Sequence, residues 1–391
     1  MGRVLQELYA DLHIHIGRTA SGRPVKITGS KTLTLSRILE TANEQKGLDL
    51  IGVIDCHSPE VIEEIEYLMD NGELVGLEDG GLRYQKTTLI PGTEIEIYDV
   101  NCKGPIHVLA YFPTLLTMRA FSDWMSMHMK NIQLSSQRIY CDGVTLQQKV
   151  RELGGLFIPA HVFTPFKSLY GKGVVKSLTE VFDAKLIDAI ELGLSSDTGM
   201  VNGIGELGYY SFVTISDAHS LGKMAREYQK LRLEQASFRE LRMALHNEKG
   251  RAIVANYGLN PLLGKYYRTV CENCGEYVGE EVERCDQCGS KRIIKGVSTR
   301  IRELTDLVDS LPHRPPYIHQ VPLDFIPGVG TKTIERLLQE FGTEMTILHE
   351  VTVEQLEKIV PEKIARLIDL ARKGQLAIAE GGGGVYGKIQ S

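Results

Sequence analysis

Short apolar runs recur through the first two thirds of the chain, each brief and each followed by a polar or amphipathic stretch. Residues 10–16, 48–54, 88–97, 106–111, 155–159, 187–192 and 212–215 carry the pattern of buried strands. Between several of them, apolar positions recur at helical spacing over residues 34–45, 59–69, 145–153 and 238–247. Alternation of strand and helix predicts a parallel sheet or barrel, whose functional side chains collect at the C-terminal ends of the strands. Near the end of the chain, residues 331–341 repeat Ile334, Leu337, Leu338 and Phe341 on one helical face. Residues 353–359 and 362–373 supply further helices to pack against it.

With 391 residues the chain exceeds one average domain, so two or three are expected, and 42% hydrophobic residues suffice for a large core. No run of about 18 apolar residues exists, so no membrane span is expected. Residues 1–10 lack the basic start and apolar core of a secretory signal. The net charge of −6 gives no general attraction to nucleic acid, so any such binding must be local. Four of the seven cysteines cluster late while Cys56, Cys102 and Cys141 are scattered, which is not a disulfide framework; a reducing cytoplasm is the expected setting.

Chemistry concentrates in the strand-like runs. In Asp11-Leu12-His13-Ile14-His15-Ile16 the period of two turns His13 and His15 to one face and Leu12, Ile14 and Ile16 to the other. Downstream, Asp217 and His219 repeat the spacing just after a predicted strand. Between them His57, Glu94, His107 and His161 each lie within or just after an apolar run. One histidine beside a strand is usually a hydrogen-bonded structural residue. Six of the chain's 11 histidines placed this way point instead to a multinuclear hydrolytic metal site. Imidazole with carboxylate suits zinc, manganese or iron.

Three segments of this region read as long, mobile loops. Residues 17–31 carry Arg18, Arg23, Lys26 and Lys31 with no acid, either phosphate-binding donors at the mouth of the site or a solvated surface. Residues 162–176 mix Phe163, Phe166 and Tyr170 with Lys167 and Lys172, which either stack a base or pack the loop down. Residues 195–206 offer Ser195, Ser196 and Asn202 to a base edge.

Two further modules follow. Cys271-x-x-Cys274 and Cys285-x-x-Cys288, each followed by glycine (Gly275, Gly289), have the spacing of a closed structural zinc ribbon. Lys291, Arg292, Lys295, Arg300 and Arg302 after it form either a phosphate-facing strip or a soluble surface. Beyond Pro312, Pro315, Pro316 and Pro322 comes Ile326-Pro327-Gly328-Val329-Gly330-Thr331-Lys332. It resembles a helix–hairpin–helix, in which the N–H groups around Gly328 and Gly330, with Lys332, hold a backbone phosphate. The glycine tail 381–384 either wraps a phosphate or acts as a tether.

The ordered set His13-x-His15, His57, Glu94, His107, His161 and Asp217-x-His219 resembles the PHP (polymerase and histidinol phosphatase) superfamily over residues 1–260. With the ribbon (261–298), the helical region (299–376) and the tail (377–391), the whole chain resembles the endonuclease Q family in its bacterial form. The resemblance implies a distorted seven-stranded β/α barrel followed by a zinc ribbon and a small all-helical domain. It implies two or three catalytic divalent ions (zinc, manganese or magnesium) beside one structural zinc, with Asp217, Glu94 and His161 foremost in catalysis. The implied reaction is hydrolysis of the DNA strand 5′ to uracil, hypoxanthine, xanthine or an abasic site, the base being flipped out. Damaged DNA is then the partner, at the nucleoid; any repair or replication protein partner stays unassigned. A small-molecule phosphatase is the alternative and has no use for the ribbon or hairpin. Two departures stand out. No Asp or His falls within residues 17–21, where the superfamily has a ligand, and its Thr-Asp-His appears as Asp55-Cys56-His57. One metal position is therefore weakened, lost, or filled by Asp55 or Cys56.

Overall fold

The computed structural model describes residues 4–279, 282–307, 314–379 and 388–389; Pro312 and the glycines 381–384 lie outside the described residues. Seven strands form a distorted ring: β1 (Gln6–Ile14), β2 (Leu50–Ile54), β3 (Thr87–Ile97), β4 (Ile106–Tyr111), β5 (Leu156–Pro159), β6 (Ala189–Glu191) and β7 (Ser211–Val213). The pairs β1–β2, β2–β3 and β6–β7 are parallel. Strand β4 runs antiparallel to both β3 and β5, because the short link from Ile97 to Ile106 has no room for a crossover helix. A few hydrogen bonds close the seams. Asp188 N–H donates to Phe157 O (2.9 Å) between β5 and β6, and Ala218 N–H to His13 O (2.9 Å) brings the chain after β7 back to β1.

Strands β8 (Tyr228–Leu233) and β9 (Ala252–Gly258) extend the sheet antiparallel from β1. Both escape the hydrophobic pattern, since Gln229, Lys230 and Arg232 interrupt β8 and Asn256 interrupts β9. Helices α1 (Leu35–Glu40), α2 (Pro59–Asp70), α3 (Leu115–Ser126), α4 (Gly143–Glu152) and α5 (Phe238–Leu245) belong to this first region. Of these, α3 has no counterpart in the sequence reading.

The middle of the ring is filled by Leu12, Leu50, Ile54, Ile90, Leu109, Tyr111, Ile158 and Val213, in one cluster with Leu241 and Leu245 of α5. Gly52 and Gly92 leave room for the Tyr111 ring, since a Cβ at either would lie 2.8 Å from it. The Tyr111 hydroxyl donates to Leu12 O at 2.6 Å. The period of two then sets what lies above this apolar layer. Ile90–Gly92–Glu94, Leu109–His107 and Ala189–Glu191 each carry the inward face from an apolar side chain to a polar one. In β1 the register shifts between Asp11 and Ile14. Leu12 thus joins the ring's interior while Ile14 and Ile16 pack in the outer cluster, which corrects the single-face assignment of all three.

The four cysteines converge, with Cys271 Sγ 3.5 Å from Cys288 Sγ and Cys274 Sγ 3.6 Å from Cys285 Sγ. Disulfide sulfurs would lie about 2.05 Å apart, whereas tetrahedral thiolates about 2.3 Å from zinc stand roughly 3.8 Å apart. The spacing therefore fits the metal. Both knuckles turn alike: Gly275 N–H donates to Cys271 O and Gly289 N–H to Cys285 O, each glycine having positive φ (74° and 70°).

After the ribbon come α6 (Val297–Leu304), α7 (Thr331–Phe341), α8 (Glu344–His349), α9 (Val353–Leu356) and α10 (Glu362–Arg372). Lys46 Nζ meets both Glu344 oxygens at 2.8 Å, and the Tyr9 and His349 rings stack at 4.6 Å. This buried ion pair fixes the helices against the strand ring, since removing one partner of such a pair costs about 3–5 kcal/mol.

Candidate metal centre

His13 and His15 stand at the top of β1, wholly buried. Each uses Nδ1 against a carboxylate: His13 donates to Glu191 (3.2 Å to Oε2), and His15 to Asp55 Oδ2 (2.9 Å). In the neutral rings, the form that binds a metal, those bonds place the proton on Nδ1 and leave both Nε2 atoms as acceptors. The two Nε2 atoms nevertheless face each other at 3.3 Å. Asp217 Oδ1 lies 3.6 Å from one and 3.4 Å from the other, and a Glu94 oxygen lies 3.8 Å from each. Lone pairs and carboxylates converging in a dry pocket repel one another until a cation lies between them.

Two further groupings adjoin this one, and a single atom from each member lies within 4.8 Å of the others: His15, Asp217 and His219, and Glu94, His107 and His161. Glu94 Oε1 accepts from His107 Nδ1 (2.9 Å) and faces His161 Nε2 (3.3 Å). Nitrogen and oxygen donors at this spacing suit zinc or manganese, so the residues fit divalent metals.

The electrostatics show the same demand for positive charge. Burial pushes the His13 imidazolium down, but Glu191, Asp217 and Glu94 outweigh it and raise its pKa to about 10. Burial raises Asp217 and Glu94, yet His13 and His15 around the first, and His107 and Lys26 around the second, hold both carboxyls well below their usual range. His219, with burial dominant, falls to about 4 and stays neutral, the form a metal ligand needs. Backbone conformation is unusual at the same place: Asp55 (φ 92°), His161 (φ 31°) and Asp217 (φ 46°) adopt the left-handed region without being glycine. Such strain persists where surrounding contacts fix a functional side chain.

His57 is not brought to this cluster. Its Nδ1 pairs with Thr93 Oγ1 (2.7 Å) and its Nε2 with Leu134 O (3.3 Å), which uses both nitrogens structurally. Asp55 does not fill the vacated role directly; it orients His15 and also accepts from Ile16 N–H (3.0 Å). Cys56 is buried, and burial pushes its thiol up to about 12.

The loop at residues 17–31 is no mobile flap. Val25 is buried, Val25 N–H donates to Gly17 O (3.0 Å), and Ser30 N–H donates to His219 O (2.8 Å). Arg18 is spent on Gly22 O, and Arg23 lies 3.6 Å from Glu60. Lys26 turns inward onto Glu94 Oε2 at 3.0 Å.

A cavity of about 390 Å³ opens beside the cluster, lined by Thr28, His161, Phe166, Glu191, Ser195, Asp217, His219 and Tyr266 among others. A second, of about 360 Å³, shares Thr28, His161, Phe166, Asp217 and His219 and continues past Lys26, Ile27 and Lys167. Of the residues offered to a base, Ser195 and Phe166 line the first cavity. Phe163 is buried and stacks on Tyr170 (5.3 Å), Ser196 donates to Leu192 O (2.8 Å), and Asn202 is outside the lining. Of the aromatics of residues 162–176, Phe166 faces the cavity, 43% exposed and edge-on to Tyr266 at 5.6 Å, while Phe163 and Tyr170 pack the loop down. In the basic strip Arg300 is structural, its Nε donating to Tyr170 O (2.8 Å).

Glu191 escaped the sequence reading. Its signal was a lone acid inside the apolar run Ala189-Ile190-Glu191-Leu192. Glu191→Gln keeps the shape and removes the charge that makes His13 basic, so metal affinity is expected to fall about 10–100-fold. Titration of the apo-protein with Mn²⁺ measures this, and an unchanged affinity would remove Glu191 from the centre.

No family model matches the chain. It is 58% identical over 386 residues to the uncharacterised Bacillus subtilis protein YqxK, covering 99% of this chain and 100% of that one. Among solved structures it resembles a lesion-specific endonuclease, PfuEndoQ, from Pyrococcus furiosus, with a TM-score of 0.84 and 30% identity over 98% of this chain and 95% of the other. It matches equally (TM-score 0.84, 30% identity, 98% and 96% covered) endonuclease Q in complex with a 27-mer duplex substrate with an abasic lesion at the active site. No helix of the described residues is long and apolar enough to cross a membrane.

Proposed function

Since the chain belongs to the endonuclease Q family, we propose that it cuts damaged DNA, hydrolysing the phosphodiester bond 5′ to an abasic site or to uracil, hypoxanthine or xanthine. The observation that carries this reading is the convergence of the His13 and His15 lone pairs with Asp217 and Glu94 beside a deep cavity. His13, His15, Glu94, His107, His161, Asp217 and His219 would hold the catalytic divalent ions, and the four cysteines a structural zinc. When bound, such ions polarise the phosphate and activate water for in-line attack.

The chain's own groups do the rest. Asp217 and Glu94 keep ionised carboxylates between imidazoles at neutral pH, and His161 stands at the junction of both cavities. A deaminated base differs from its parent on the Watson–Crick edge, which is read after the base leaves the stack. The 390 Å³ cavity is within the size range of small-ligand sites, and Ser195 with the Phe166 and Tyr266 rings supplies a polar edge and aromatic faces. The units are then residues 1–260 for catalysis, 261–298 for the ribbon and 299–376 for backbone grip, with 377–391 as a tail.

The hairpin suits that grip. Gly328 and Gly330 are exposed, Gly330 precedes α7, and no side chain caps that helix, so its first N–H groups face outward to an anion. Gly328 has φ 86°, and a Cβ there would approach Ile364 Cδ1 to 2.7 Å. Gly328→Val with Gly330→Val should therefore spoil the loop and weaken duplex binding about tenfold or more, the loss of charge-assisted contacts worth about 1.5–3 kcal/mol. Metal content should stay the same. Gel-shift titration with metal analysis decides; unchanged affinity would sink the role of the hairpin.

The function itself is tested with an end-labelled duplex carrying one abasic site or one deoxyuridine, incubated with Mg²⁺ or Mn²⁺. The expected product is a single cut 5′ to the lesion, absent from undamaged duplex. Phosphate release from small phosphomonoesters with no cut on any lesion would overturn the reading.

A further inference from the structure

A further cavity, of about 230 Å³, opens beside the start of β7 and shares no lining residue with the two at the metal centre. Asn256 of β9 and Thr198 line it, 2% and 8% exposed. Neither Asn256 Oδ1 nor Thr198 Oγ1 has a hydrogen-bond partner among the described residues. Arg314 lines it too. Its Nη1 donates to Tyr210 O (2.7 Å) and its Nη2 to Leu207 O (2.8 Å), while its Cζ lies 3.6 Å from the centre of the Phe212 ring. These contacts fix the plane of the guanidinium and leave Nε without an acceptor among the described residues. They also leave its charge unbalanced. Among the described residues neither Asp nor Glu lines the cavity, and burial alone acts on Arg314, lowering its pKa with no acid to offset it. Two residues on, Pro316 O accepts from Asn256 N–H (2.9 Å), and the chain leads away to the helical region.

A half-buried cation with no acid beside it, and a buried carbonyl and hydroxyl with nothing to bond, are each costly until a ligand supplies what is missing. The missing groups are an oxyanion for Arg314, an N–H for Asn256 Oδ1 and a polar atom for Thr198 Oγ1. A zwitterionic amino acid finds no partner here for its ammonium, because the lining holds no acid. A ligand of net negative charge is therefore favoured. Tyr209, also in the lining and 94% exposed, offers an aromatic face to a planar group. The volume lies just below the roughly 300 Å³ at which sites for drug-sized ligands begin, which limits the ligand to a small one. We propose that this cavity binds a nucleoside monophosphate, its phosphate on Arg314 and its base against Tyr209 with an N–H edge towards Asn256. Guanidinium is weakly hydrated and planar, which suits it to phosphate in a partly buried place. An occupied site would tie the segment of Arg314 and Pro316 more firmly to the strand ring.

The test is calorimetric titration of the full chain with dUMP, dAMP, deoxyuridine and inorganic phosphate, without added divalent metal. The unaltered chain should bind a nucleotide at least about tenfold more tightly than deoxyuridine or phosphate alone. Binding should persist in Asp217→Ala, which places the ligand outside the metal centre. Arg314→Gln should weaken nucleotide binding about 10–100-fold, the worth of hydrogen bonds to a charged group. Because that change also loosens the segment of Arg314, two milder variants are measured beside it. Thr198→Val should weaken binding about threefold to tenfold at an unchanged melting temperature. Asn256→Asp puts the missing carboxylate into the cavity, so it should raise the melting temperature and abolish nucleotide binding. The nucleotide should likewise raise the melting temperature of the unaltered chain. No binding of either nucleotide, equal affinity for deoxyuridine or phosphate, loss of binding in Asp217→Ala, or full binding in Asn256→Asp would overturn the proposal.

Discussion

Asp217→Ala should bind a lesion-bearing duplex within about twofold of the unaltered chain and cut it at least about 10³-fold more slowly. The separation follows from where the residue stands. Its carboxylate is the nearer of the two acids shared by the Nε2 atoms of His13 and His15, at 3.6 and 3.4 Å, and it belongs to the grouping with His15 and His219. Without it the two Nε2 atoms lose a counter-charge, and a metal between them loses a ligand. The backbone contacts survive, because His219 Nδ1 (3.0 Å) and Arg226 Nη2 (3.2 Å) both meet the Asp217 carbonyl, which the substitution keeps. The duplex grip assigned to the Gly328–Gly330 hairpin lies elsewhere in the chain and is untouched. Gel shift and single-turnover cleavage on the same abasic-site duplex measure the two effects. Cleavage within tenfold of the unaltered chain would remove Asp217 from the reaction.

How far the sequence reveals this centre depends on residue type and on strand phase. Seven of the eight side chains chosen as metal ligands meet at one end of the strand ring, because imidazoles and carboxylates in apolar strands have few other uses. His57 stands apart, since nothing in Asp55-Cys56-His57 tells that Thr93 and Leu134 will claim both ring nitrogens. The inward turn of Lys26 was illegible for a related reason. A loop with four cations and no acid looks solvated, and only its tertiary bonds to Ser135 and His219 show that it is packed. Leu12 was assigned to the wrong side because a register shift breaks the period of two, and that shift depends on the partner strand. The ribbon was fully legible, as four cysteines at fixed spacing leave one compact arrangement. Strands β8 and β9 were not, because β8 pairs with β1 and β9 with β8, and polar residues in both hide their alternation.

Replacement of Cys285 and Cys288 by serine should remove one zinc per chain and unfold the ribbon while the strand ring keeps its melting temperature. The ribbon has almost nothing else to hold it. Its sheet is two strands of two residues, Val270–Cys271 and Ile293–Ile294, and two of its four cysteines are themselves among its few buried side chains. Structural zinc contributes about 10–16 kcal/mol of binding free energy in small domains of this kind, far more than two-residue strands supply. The ring has its own apolar interior and shares no ligand with the ribbon. The two meet through α6, where Arg300 donates to Tyr170 O and Val175 O, on the segment that carries Phe166 beside the 390 Å³ cavity. Loss of the ribbon should therefore free that segment as well, lowering duplex affinity by about tenfold and raising the substrate concentration needed for cleavage more than it lowers the maximal rate. Zinc analysis, limited proteolysis across residues 265–296 and binding titrations read these effects in turn. A ribbon that stays protease-resistant without its zinc would show that side-chain packing, and not the metal, holds it.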